Sequence, residues 1–129
     1  MVGHLVFGEQ TDWIPRARMI LDSGAARPFE PFDRRGHEAF TGALPTGELL
    51  REFAALRSAN LEALRGFHLD ESALNATGIH PSLGTVTMRQ LLATWVAHDF
   101  AHMAQIVRVM AKRHRDDVGP WREFLTILK

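Results

Sequence analysis

Thr87–His114 reads TMRQLLATWVAHDFAHMAQIVRVMAKRH, and the fold turns on this stretch. Thr87 and Gln90 stand three residues apart ahead of an apolar run, the spacing of a capping box. The pattern predicts a helix from Thr87 to about His114. At about 100° per residue, Leu91, Trp95, His98, His102, Ile106 and Val109 fall within about 80° of one another. The stripe predicts a buried face with two imidazoles near its centre, one turn apart and pointing the same way. Histidines at i and i+4 can share one cation. Asp99 follows His98, and Gln105 lies about 60° round the helix from His102, so both are candidate helpers beside the pair. The plainer alternative is two core histidines, each satisfied by its own hydrogen bond. A metal would satisfy both at once.

Three further segments read as helical. Val2 to Asp22 ends at Ser23-Gly24, and Pro15 inside it predicts a kink, because proline lacks the N–H and crowds the preceding turn. Thr46 to Gly66 carries Leu49, Leu50, Phe53, Leu56, Leu61 and Leu64 at helical spacing, although its capping box is imperfect. A short helix is expected over Pro120–Leu128, with proline at its first position. Between the first two helices lies a loop from Gly24 to Pro45, whose three prolines and three glycines oppose regular structure. A loop this long commonly packs over a site. A second loop, Asn75–Val86, is dominated by turn formers. No alternating strand pattern emerges, so the expected class is all-α, a single helical bundle over residues 1–129.

Composition narrows the chemistry. The 129 residues carry 15 basic and 15 acidic side chains, so no net field draws the chain to nucleic acid or an anionic membrane. No apolar run approaches the ~20 residues that span a bilayer, and the start MVGHLVFGEQ lacks signal-peptide features. A cytoplasmic protein acting on a small molecule is expected. With no cysteine, a metal must be held by His, Asp or Glu, and a protein thiolate nucleophile is excluded.

An open catalytic metal site usually has three protein ligands. His4 is one candidate third ligand: it shares its side of the first helix with Gly8 and Thr11, small residues that leave room for a metal and its water. His37 and His80 are loop histidines that could also reach a metal. His68 and His114 sit near helix ends and are expected in solvent. Asp12 and Trp95 complete the expected substrate pocket with Gly8 and Thr11. Glu9 and Arg16 on the first helix read more readily as surface ion pairs.

Gly78–His114 (GIHPSLGTVTMRQLLATWVAHDFAHMAQIVRVMAKRH) and the following VGPW resemble the carboxy-terminal half of DinB-like (DinB/YfiT-like) proteins. GHLVFGEQTDWIPRARMIL and RPFEPFDRRGH resemble their middle portion. The resemblance implies an up-down four-helix bundle holding one divalent metal, often nickel or zinc, through three histidines. By position in the matching motifs these are His4, His98 and His102. It also implies a metal-dependent enzyme: a transferase using a low-molecular-weight thiol, with the thiolate bound to the metal and attacking an electrophile, or a hydrolase. A non-catalytic metal-binding or stress-response module is the alternative, with His37 or His80 as a fourth ligand. Family members usually carry one more amphipathic helix before the first histidine. Either that helix is lost or the true start lies upstream of Met1; if it is lost, Leu5, Phe7, Trp13, Ile14 and Ile20, spread over about 200° of the first helix, predict an exposed apolar arc covered in a two-fold homodimer.

Overall fold

The computed structural model describes residues 1–42 and 44–129. It is mostly helical with one small antiparallel hairpin, as the all-α expectation requires. The chain divides into two compact units, Met1–Ala93 and Thr94–Lys129.

In the first unit the expected opening helix is two helices, α1 (Val2–Thr11) and α2 (Trp13–Ser23). The break falls at Asp12 because Pro15 cannot donate to the carbonyl of Thr11 and its ring crowds that turn. Asp12 adopts φ −105° and ψ −61°, off ideal helix values. A 3-10 turn (Gly24–Ala26) and a short helix α3 (Glu38–Thr41) interrupt the long loop. The second long helix, α4, spans Thr46–Gly66, the bounds expected from sequence, and packs on α1. Its inward side differs from the apolar pattern: Leu50 and Leu61 are exposed, while Arg57 and Asn60 turn inward.

After α5 (Glu71–Asn75) come β1 (Thr77–His80) and β2 (Gly84–Thr87), paired in the register Thr77↔Thr87 to His80↔Gly84. This hairpin corrects the expectation of a featureless loop at Asn75–Val86. Its three-residue turn closes on Gly84 at φ +77°, a conformation that suits glycine. The long loop joins it: Pro28 bridges Ile79, and the Phe29 N–H donates to the Ile79 carbonyl at 2.8 Å. Gly78 makes this possible, since a Cβ there would lie 2.7 Å from the Phe29 ring and 2.9 Å from Ile20.

The core of this unit is Val6, Trp13, Ile14, Ala17, Ile20, Phe29, Leu49, Met88 and Leu91. Each large apolar member contributes about 1.5–3 kcal/mol by leaving water. Trp13, Ile14 and Ile20 are buried and Leu5 and Phe7 half-buried, so the exposed arc expected on the first helix is not found there. Among the described helices, exposed large apolar side chains are most numerous on α6 (Met88–Lys112).

The start of α6 is held as the capping box requires: the Gln90 N–H donates to Thr87 Oγ1 (3.1 Å) and the Thr87 N–H to Gln90 Oε1 (2.9 Å). The second unit is the rest of α6 and two 3-10 turns, Gly119–Phe124 and Thr126–Leu128. Those turns replace the α-helix expected over Pro120–Leu128. Leu125, at φ −98° and ψ +91°, leaves helical geometry and separates them. Trp95 and Leu128 are buried, but Val109, expected on the buried stripe, is 57 % exposed. No described helix is long and apolar enough to cross a membrane.

Candidate metal centre

The helix repeat stacks His98 over His102, both half-buried, with ring centroids 4.4 Å apart and planes at 71°. Their Nε2 atoms are 3.1 Å apart. Two nitrogens bound to one cation at about 2.0–2.1 Å stand roughly 2.9 Å apart in octahedral and 3.3–3.4 Å apart in tetrahedral geometry. The observed separation lies between the two, so the pair fits a shared divalent ion. His102 Nδ1 is 2.9 Å from Gln105 Oε1, which can only accept, so Nδ1 carries the proton and donates. That leaves a lone pair on His102 Nε2, facing His98. An outer partner that fixes the tautomer and aims the ring is the usual companion of a histidine ligand. Of the two expected helpers, Gln105 is therefore engaged with the pair. Asp99 is half-buried on the next position of α6.

The other expected ligands lie in the first unit. His4, half-buried on α1, meets Phe32 edge-on at 5.5 Å and His37 at 5.9 Å. The long loop comes this close because residue 36 is glycine: a Cβ there would fall 2.3 Å from the Phe7 ring. His37 therefore arrives beside His4, with a buried Nδ1 that has no hydrogen-bond partner among the described residues. His80 is placed differently. Its Nδ1 accepts from the N–H groups of Ser82 and Leu83 at 3.1 and 3.2 Å, tying the ring to the hairpin turn. Burial and, secondarily, the Arg16 charge hold its pKa below 6.5, with Asp12 opposing them. His68 and His114 are exposed, as expected.

Thr11 and Asp12 line a cleft of about 370 Å³ with Phe7, Gln10, Pro15 and Arg16 on one side and Glu30–Asp33 of the long loop on the other. Thr11 Oγ1 bonds back to the Phe7 carbonyl at 2.8 Å, and Arg16 Nε meets Asp12 Oδ1 at 2.7 Å. Arg16 is buried, stacks on Phe29 at 5.2 Å and donates to the Glu30 carbonyl at 3.3 Å, so it fixes the loop wall. Gly8 is buried on α1, where a Cβ would meet Trp13 Nε1 at 3.6 Å.

Glu9 overturns the surface reading. It is 2 % exposed, pairs with Arg57 Nη2 at 2.7 Å and accepts from Asn60 Nδ2 at 3.0 Å. Asn60 also caps the Glu9 carbonyl at 2.8 Å. The signal was present in Phe53, Arg57 and Asn60, which follow Leu49 at spacings of four and three along α4. Apolar periodicity alone passes over it.

A family model described as the DinB superfamily matches residues 1–106, a span that includes α1, α4 and the histidine pair. Among curated proteins, none matches the sequence.

Proposed function

We propose, since the chain belongs to the DinB superfamily, that His4, His98 and His102 together hold one divalent metal that serves a reaction on a small molecule. The observation that carries this reading is the His98–His102 pair, with Nε2 atoms 3.1 Å apart and Gln105 setting the tautomer of His102. Zinc and nickel both suit an all-imidazole donor set. When bound, such an ion supplies a Lewis acid and lowers the pKa of a coordinated water or thiol.

The chemistry we favour is transfer to an electrophile from a low-molecular-weight thiol, and hydrolysis is its rival. In either case the cleft beside Asp12 and Arg16 is the proposed substrate pocket. The absence of cysteine agrees with an external nucleophile. The non-catalytic alternative draws on His37, whose ring beside His4 is a candidate fourth ligand that would close the coordination sphere.

Elemental analysis of purified protein tests the reading. About one metal per chain is expected, with loss on His98→Ala or His102→Ala and weakening on His4→Ala. Affinity in the unsubstituted chain should fall in acid, because a protonated imidazole cannot ligate. Full metal retention in the His98→Ala/His102→Ala double variant overturns it. Cobalt substitution then separates the chemistries. A sulfur charge-transfer band on adding a small thiol supports the transferase. A spectrum unmoved by thiols, with fourfold nitrogen coordination that His37→Ala reduces to three, supports the binding module.

A further inference from the structure

The cleft bordered by Asp12 and Arg16 has walls that offer little to an anion. Phe7 and Phe32 meet edge to face in its lining, with ring centroids 5.5 Å apart and planes at 63°, and Pro15 and Pro31 line it too. None of these four side chains carries a hydrogen-bond donor, and a prolyl nitrogen has no N–H to add. Thr11 Oγ1 spends its proton on the Phe7 carbonyl at 2.8 Å. Arg16 is the one cationic side chain among the lining residues, and Asp12 meets its charge at 2.7 Å.

Two further carboxylates, those of Glu30 and Asp33, belong to the loop side of the cleft. Asp33 Oδ1 accepts from the Arg35 N–H at 2.9 Å, but among the described residues no cation pairs with either acid. Arg35 is turned instead to Glu38, which it holds through Nε and Nη2. Aromatic rings thus stand beside an excess of negative charge. The face of each ring attracts a cation through its quadrupole, and a carboxylate nearby adds a direct attraction. We propose, on the reading of this cleft as the substrate pocket, that its ligand is an organic cation: an amine whose ammonium group lies among Phe7, Phe32, Glu30 and Asp33.

A volume of about 370 Å³ lies at the small end of ligand pockets, which suits a small amine better than a peptide. A neutral ligand of the same shape would gain from the rings alone. An anion would face both carboxylates. For donors it is left with the Gln10 amide and what remains of Arg16, whose Nη2 already donates to the Glu30 carbonyl at 3.3 Å.

Three probes that share a phenyl ring and differ in charge test this on the full chain: benzylammonium, benzyl alcohol and phenylacetate. Titrations are followed by NMR at the amides of Thr11 and Asp33, which report from the cleft itself. Benzylammonium should bind about tenfold tighter than benzyl alcohol, with phenylacetate the weakest. Glu30→Gln and Asp33→Asn, both at exposed positions, should each weaken benzylammonium about threefold and leave benzyl alcohol unchanged. The preference should survive in the His98→Ala/His102→Ala double variant, because the groups that set it lie in the first unit. Tightest binding by phenylacetate, or a cation preference undiminished in the Glu30→Gln/Asp33→Asn double variant, overturns the cation assignment and leaves the pocket standing. A preference lost with the histidine pair overturns it as well. No shift with any of the three probes at millimolar concentration overturns the pocket reading, and the proposal falls with it.

Discussion

Glu9 on α1 and His98 on α6 each turn polar atoms into partly or wholly buried surroundings, with opposite outcomes. Around Glu9 the protein supplies every partner: Arg57 takes one carboxylate oxygen and Asn60 the other, and Asn60 also caps the backbone. A polar group enclosed in this way ties two helices together and has nothing left to offer a ligand. At His98 and His102 two ring nitrogens converge on one point, and Gln105 holds the outer side of one ring. Convergence of donor atoms on a shared centre, with a partner behind, separates a candidate site from a structural cross-brace better than burial does. Glu9 is the more buried of the two.

Removing Glu9 is the severest test of that contrast. Glu9→Ala leaves Arg57 and Asn60 without their shared partner and should cost about 3 kcal/mol. The lower end of the usual range applies because the Arg57 side chain is 23 % exposed and regains water. Denaturant midpoints measure the loss, and metal per folded chain should not change. Unchanged stability with lost metal would make Glu9 part of the site and break the comparison.

Gln105 carries the next effect. Gln105→Ala should weaken metal binding about tenfold in chelator competition, by releasing the His102 ring, with stability held within about 0.5 kcal/mol. Gln105→Glu keeps an acceptor for His102 Nδ1 and should retain the affinity. If alanine and glutamate weaken binding alike, the hydrogen bond is not what positions the ring.

The histidine pair and its Gln105 neighbour were legible because a helix repeat alone brings residues four and three apart together. The cap at Thr87, the break before Pro15 and the bounds of α4 were legible for the same local reason. What escaped depends on contacts distant in sequence. The inward turn of Arg57 is explained only by Glu9, 48 residues earlier. The hairpin escaped because each strand is four residues long. Its β-branched Thr85, Val86 and Thr87 abut a helix start, and Phe29, which holds the other strand, comes from the long loop. The carboxy-terminal helix failed although Trp121, Phe124, Leu125 and Leu128 stand at helical spacing, because of these only Leu128 is buried and a short helix without packing is marginal.

The smallest predicted effect lies at His80, where sequence offered a possible ligand and the structure shows a turn brace. A histidine whose pKa is lowered by folding binds fewer protons folded than unfolded. Stability is therefore full above pH 6.5, falls as pH drops through 6.5, and stops falling once the folded ring is itself protonated. A proton on Nδ1 would also end the two hydrogen bonds from Ser82 and Leu83. His80→Asn places an oxygen acceptor the same number of bonds from the backbone and cannot titrate. Between pH 7 and 5 the unsubstituted protein should lose more stability than the variant, and the difference should appear as faster amide exchange at Ser82 and Leu83. Equal loss in both proteins would mean that the hairpin does not sense this ring. If His80→Asn instead lowered metal content at neutral pH, His80 would belong with the ligands, and the contrast between braced and convergent polar groups would have to be redrawn around it.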